Sequence, residues 1–468
     1  MALSLTSMGA EGGTTFISDG ERRLASAPIF PLFVRFAVPG VMSLLFFGLQ
    51  ILINGALIGN FAGASALASM NLVLPIFGLT VSLCIVLNVG CQCLVGLRLG
   101  ASDRKGANEA FFTAYMLTLA ATLSWAVLSM FFAAEISRFM GADKTLVGDC
   151  ATFLNISAVS MPMTSLMFLA NGALRAQGRP VYSLCVMLAM VFAHLIADLI
   201  LIAHLKMGLR GAAYATVAAS FAGFVLSAPP FFRKSSALSF FRGKFSVRSA
   251  GQMLYNGSSE GMSELALNLA IIIFNKVLMS GWGGEGVAAF SAMHYLAFVA
   301  TVFFIGLSDG MRAIVSFNYG MKNSARIFAA LKISALAVSA VGAALFASAF
   351  FFGDEILAMF FSAGDIGAAK IAQDGAEIFG FAFLIQGLNV LASAYFTAIG
   401  NAKISLAIAF LKGFVFVIAA LFILKRFFGL DGVWAATPAA EAAALLISAA
   451  LMAGALRGLR RGNFTSYV

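Results

Sequence analysis

Two pairs of ionisable residues stand at helical spacing inside long apolar runs. His194 and Asp198 are four residues apart, so on a helix they face the same way, close enough for an imidazole and a carboxyl to share a proton. Glu260 and Glu264 repeat that spacing. A charge near the middle of a bilayer costs about 2.5–3.5 kcal/mol on insertion scales, so such groups face a cavity and act there. A carboxyl held this way can take up a proton and release it on exposure to water or to a cationic substrate, which is the exchange an antiporter needs. Each pair also has a structural reading. His194 could be a hydrogen-bonded core residue, and Glu260 could be a fixed strut to helix-end amides or to Arg312.

Other chemistries lack their residues. The three histidines, His194, His204 and His294, form no His-Glu-x-x-His or similar pattern, which argues against a membrane-embedded hydrolase. Cys91-x-Cys93 has no second pair at metal-ligand spacing, and the five cysteines lie mostly inside apolar runs, so packing is expected rather than a disulfide framework or a metal site. No Gly-rich phosphate cradle ending in Gly-Lys-Ser/Thr occurs, so coupling is expected from an ion gradient, with no cofactor beyond the coupling ion.

The elements that must position these groups follow from composition. Of 468 residues, 61% are hydrophobic and 11% charged, against about 25% charged in soluble domains. The apolar residues fall in blocks long enough to cross about 30 Å of hydrocarbon at 1.5 Å per residue. The expected fold is all-α and polytopic, with spans near 35–59, 66–96, 108–133, 146–174, 180–205, 210–232, 253–280, 287–316, 326–352, 370–398, 403–425 and 432–456. Residues 1–34 read as a cytoplasmic tail without a signal peptide, 35–232 as one six-helix lobe, 233–252 as a basic hinge linker, 253–456 as a second lobe and 457–468 as a C-terminal tail.

The net charge of +10 is spread over alternate helix ends rather than one stripe, which argues against a nucleic-acid partner. Most of the 30 Lys and Arg, among them Arg98, Arg104, Arg175, Arg179, Arg242, Arg326 and Arg457, fall on the side of the termini. The other side carries Glu135, Asp143, Asp149, Asp354, Glu355 and Asp365, so the positive-inside rule places both termini in the cytoplasm, in a bacterial inner membrane.

The two halves match at a shift near 221. Gly63-Ala64-Ser65 follows the first span as Gly284-Glu285-Gly286 follows the seventh, Arg98-Leu99-Gly100 matches Asn318-Tyr319-Gly320, and Gly208-Leu209-Arg210-Gly211 matches Gly429-Leu430-Asp431-Gly432. Six spans per unit give both halves the same orientation, related by an axis along the membrane normal, which suits alternating access.

Leu52-Ile53-Asn54-Gly55-Ala56-Leu57-Ile58-Gly59-Asn60 resembles the first-helix signature of the multidrug and toxic compound extrusion (MATE) family, which usually has Asp where Asn54 stands. Gly257-Ser258-Ser259-Glu260, Gly306-Leu307-Ser308-Asp309-Gly310 and Gly429 to Trp434 with Pro438 and Glu441 are similar to it as well. The resemblance implies a cation-coupled antiporter that expels amphipathic, often cationic, organic compounds. It also implies an ion site in the first lobe, which falls on Asn54, His194, Asp198 and Thr216. Replacing a family Asp by Asn54 and a family Asn by His194 removes hard oxygen ligands, which disfavours Na⁺ and leads to the hypothesis of a proton-linked site at Asp198 with His194.

Gln50, Asn88, Asn171, Asn268, Asn275, Gln386, Asn389 and Tyr395 are further polar residues within spans that either line the pathway or bond across packed helices. Asn54 and Asn275 are equivalent under the repeat, which favours packing for that pair. The 47 Phe and 21 Met suit a pliable apolar cavity and equally suit ordinary lipid-facing packing. Pro39 and Pro438 are candidate kinks. The ionisable residues within spans are mainly acidic, with Lys276, Arg312 and Lys412 nearer helix ends, which leans toward a cationic small-molecule substrate handled by a monomer in the bilayer. The competing transport readings are Na⁺-coupled export and a flippase for a lipid-linked saccharide.

Overall fold

The computed structural model describes residues 18–233, 236–361 and 366–464. Most of the expected N-terminal tail, Lys234 of the linker, Asp365 and the last four residues lie outside them. Helix α1 (Asp19–Ser26) precedes the first lobe. That lobe is made of α2 (Ile29–Leu57), α3 (Ala64–Gly100), α4 (Arg104–Phe131), α5 (Ala133–Phe139), α6 (Val147–Ala158), α7 (Ser160–Ala176), α8 (Pro180–Asp198), α9 (Gly208–Ser227) and α10 (Pro229–Phe232). The second comprises α11 (Val247–Gly320), α12 (Ser324–Ala358), α13 (Ile366–Ala398), α14 (Ala402–Phe410) and α15 (Phe416–Arg460).

Twelve crossings result among the described residues. Helices α6 and α7 meet at a 45° bend and make one span. The long α11 is two spans, broken at Gly283 (φ 63°, ψ −153°). Helix α15 breaks likewise at Gly429 (φ 60°, ψ −126°), its first part completing the span that α14 begins and its second part forming the last crossing. Both breaks use a left-handed backbone that glycine adopts without a Cβ penalty. The duplication recurs in the backbone itself. Left-handed residues fall at Gly63 and Gly283, Ser102 and Lys322, Gly178 and Gly400, and Gly208 and Gly429, each pair about 220 residues apart. Helices α2 and α15 run unbroken through Pro39 and Pro438, which end neither of them.

The lobes meet chiefly where α2 and α3 pack on α11. The contact is made at the ends of these helices nearest the termini, where glycines bring backbones together: Gly40 faces Gly306, Gly310 faces Ala37, Gly90 faces Met253, and Gly100 faces Phe317. In the opposite halves Gly55, Gly63, Gly78, Gly281, Gly283 and Gly284 have open space where a Cβ would stand. Close backbone contact thus seals the lobes together beside the termini. A Cβ at Gly100 would collide with the Phe317 carbonyl. Gly100→Ala should prise the closed end apart, read as faster labelling of a cysteine placed at Ser316 with the lobes' helicity unchanged; unaltered labelling would refute the tight seam.

Within the expected N-terminal tail, residues 18–26 form a docked helix: Ser18 and Glu21 form a capping box, Glu21 pairs with Arg104 at 3.6 Å, and the Leu24 carbonyl accepts from Asn318 (3.1 Å) and Arg326 (3.0 Å). Contacts to both lobes make α1 a strap over the closed end. The linker, in turn, is no free hinge. Ala237, Leu238 and Ser239 are buried, Asn108 donates to the Ala237 carbonyl and accepts from the Ser239 N–H, and Ser236 donates to Gln177. Phe240 packs among Phe111, Tyr115 and Phe231, so this segment belongs to the first lobe.

Candidate functional site

In the first lobe the polar residues converge on His194. Its ring lies among α2, α8 and α9, with Gln50 Nε2 2.7 Å from Nδ1, and Asn54 Nδ2 (3.2 Å) and Thr216 Oγ1 (3.5 Å) at Nε2. Asp198 Oδ1 is 3.6 Å from Nε2, one turn along α8. The ring is 4% exposed and Asp198 0%, and neither carboxyl oxygen of Asp198 has a hydrogen-bond partner among the described residues. A charge on Asp198 would have no donor to offset its desolvation except the imidazole.

The amides suit a ring that changes protonation. A neutral imidazole has one donor and one acceptor, whereas an imidazolium has two donors. Carboxamides exchange donor and acceptor ends by a half-turn, and the Gln50 and Asn54 oxygens are buried without partners among the described residues. Turned round, both would accept from a doubly protonated His194. Helices α2 and α8 each pass into a π-turn directly beyond the site, Ile58–Ala62 after Asn54 and Leu199–His204 after Asp198, a distortion frequent at functional positions. Thr216 also bonds the Ala212 carbonyl, and Ser220, one turn on, bonds Thr164 at 2.6 Å.

The second lobe holds a different cluster. Asn389 donates to Glu441 Oε2 at 2.6 Å and to its carbonyl at 2.8 Å, while Lys412 Nζ lies 3.5 Å from Glu441 Oε1. Lys412 sits within the π-turn Leu411–Val415, well inside the span and not near a helix end, which corrects the sequence expectation. Its long stem lets the ammonium reach a carboxylate on the neighbouring helix, so a lysine is tolerated deep in the bundle.

Glu260 and Glu264 separate in role. Glu260 pairs with Arg312 at 2.5 Å; Arg312 also pairs with Asp309 at 2.9 Å, and Asp309 with Arg175 of the first lobe at 3.1 Å. Arg312, toward the C-terminal end of α11, is 4% exposed and buried at the seam. On α3, Arg98 donates to Ser249 and Gln252 of α11 at 3.0 and 2.9 Å. This ion network ties the lobes at the closed end. Glu264 is half-buried one turn on, without an ion pair among the described residues.

The other polar positions are dispersed. Asn171 is buried with its side-chain oxygen unbonded, Gln386 donates to Thr301 at 3.2 Å, and the exposed Asn268 bonds the Glu264 carbonyl. Asn275 is half-buried with its oxygen unbonded, and Tyr395 is fully buried against Phe396. The structure thus brings Gln50, Asn54, His194, Asp198 and Thr216 together and leaves Asn268, Asn275 and Tyr395 apart from them. The Glu260–Arg312 pair is the strut offered from sequence as one reading of Glu260, whereas its extension through Asp309 to Arg175 and the Lys412–Glu441 pair had no signal beyond charges within apolar runs. The capping box of α1 was readable as Ser18-x-x-Glu21 before Leu24.

The comparisons agree with this architecture. The MatE family profile matches residues 39–200 and 261–423, once in each lobe. The chain is 24% identical over 336 residues to the multidrug export protein MepA of Staphylococcus saprophyticus, 71% of this chain and 73% of that one. To MepA of Staphylococcus haemolyticus it is 24% identical, covering 67% and 69%. In fold it is similar to an outward-facing multidrug resistance MATE transporter of the MOP superfamily, with TM-score 0.88, 20% identity and coverage of 95% and 99%. It is also similar to a MOP superfamily transporter from Pyrococcus furiosus, with TM-score 0.87 at the same identity and coverage. With both lobes matched, the chain belongs to the MatE family of multidrug efflux transporters.

Proposed function

We propose that this protein exports amphipathic, cationic organic compounds in exchange for protons, by alternating access of its two lobes. The observation that carries the reading is His194, bracketed by two reversible carboxamides and by the buried carboxyl of Asp198. Asp198 is the sole carboxylate among the five residues of that cluster. Na⁺ favours several hard oxygens, and an imidazole in their midst suits a proton better. The basic residues at the closed end support cytoplasmic termini, as expected for an inner-membrane protein. The transporter works as a monomer, since each chain supplies both lobes, and it needs no cofactor beyond the coupling ion.

The test is transport by purified protein in sealed vesicles, with a panel of cationic dyes and an imposed pH or Na⁺ difference. Dye should move against its gradient when the pH difference is imposed, stop when a protonophore collapses it, and ignore Na⁺ alone. Movement driven by Na⁺ alone would replace the proton reading with a sodium one. No movement under either gradient would remove the antiporter reading.

A further inference from the structure

At the closed end, α1, α2 and the turn between α7 and α8 border an open recess of about 410 Å³ lined by Arg23, Arg35 and Arg179, with Gly20, Val181 and Tyr182. Each arginine comes from a different element. None of the three forms an ion pair among the described residues, and the one acidic side chain on the described wall is Asp19, so the pocket carries a net positive charge. Arg179 is also the N-cap residue of α8, whose N-terminus carries no side-chain cap.

An exposed apolar stripe runs along α2 on either side of Arg35. Phe30, Val34 and Val38 follow at every fourth position of α2 and are 64%, 40% and 52% exposed; Val181 on α8 is 45% exposed. A phosphate among guanidiniums, with hydrocarbon along an adjoining stripe of a spanning helix, is the chemistry of an anionic phospholipid at a membrane boundary.

We propose that this pocket binds the phosphate of an anionic headgroup, whose acyl chain lies along Phe30, Val34 and Val38. The bound phosphate joins α1 to α2 and to the α7–α8 turn. Because the Leu24 carbonyl of α1 also bonds Asn318 and Arg326 of the second lobe, the lipid tightens the strap that closes this end. A membrane rich in anionic lipid therefore favours the state shut beside the termini. The inference rests on the membrane-spanning fold and is independent of which ion drives transport.

Native mass spectrometry of the full chain in neutral detergent, titrated with phosphatidylglycerol, phosphatidylcholine or inorganic phosphate, tests it. Phosphatidylglycerol should bind the wild type selectively, and Arg35→Gln with Arg179→Gln should weaken that binding about tenfold or more through loss of two charge-assisted contacts. As a control, Arg426→Gln removes a positive charge at the far side of the protein and should leave binding intact. Equal binding of phosphatidylcholine, or binding unchanged in the double variant, would overturn the site. Inorganic phosphate that competes fully at equal concentration would overturn the lipid source and identify a free-anion site. Since bound lipid is counted on folded protein only, loss of binding is not confused with loss of fold.

Discussion

Asp198→Asn should uncouple transport from the pH difference while leaving substrate binding in place. If proton and cargo exclude one another, cargo affinity rises with pH as the site empties of its proton, and proton affinity falls by the same factor when cargo is bound, a reciprocity typically worth about 5- to 150-fold. The substituted amide would keep the shape of the carboxyl and could not exchange a proton, so the pH dependence of cargo affinity should collapse to about unity. His194→Gln should blunt the dependence less, because Asp198 remains and only its ring partner is lost. Titration of dye binding between acid and alkaline pH checks both. Undiminished pH dependence in Asp198→Asn would place the exchanging group elsewhere, with Glu264 and Glu441 next in line.

The second large effect is at the seam. Arg312 neutralises Glu260 and Asp309, and Asp309 also takes Arg175 from the opposite lobe. Removing one member of a buried ion network leaves charges without partners, at a cost of about 3–5 kcal/mol. Arg312→Met should therefore lower the thermal stability of the closed form strongly, and Arg312→Met combined with Glu260→Gln should recover part of the loss, because one orphaned carboxylate is then neutral. Arg175→Met should cost less than Arg312→Met, since Asp309 keeps Arg312. Additive losses in the double variant would show that Glu260 and Arg312 do not act as a pair.

The fold was legible where hydrophobicity is the governing force. Spans are dictated by the length of apolar blocks, and the duplication by turn glycines such as Gly208 and Gly429, whose left-handed backbone tolerates few alternatives. The first-lobe cluster was legible in part. The i, i+4 spacing of His194 and Asp198 and the family resemblance at Asn54 and Thr216 pointed to it, whereas Gln50, bonded to the other ring nitrogen, stood out only as one polar residue among several. What sequence could not supply was pairing across elements far apart in the chain. Lys412 and Glu441 are joined by side-chain reach between neighbouring helices, and Arg175 meets Asp309 only because the lobes close there. The linker looked like a hinge because it is basic and not helical. Its aromatic Phe240 and buried Ser236 to Ser239 are instead committed to the first lobe, a packing preference that periodicity does not encode.

The most direct test of proton exchange at His194 and Asp198 is to count protons released when cargo binds. Purified protein in weakly buffered detergent solution with a pH indicator should liberate protons on addition of a saturating cationic dye, in a fixed ratio to dye bound, and Asp198→Asn should bind the dye and liberate none. Dye binding without proton release by the wild type, or the same release from Asp198→Asn, would contradict the account.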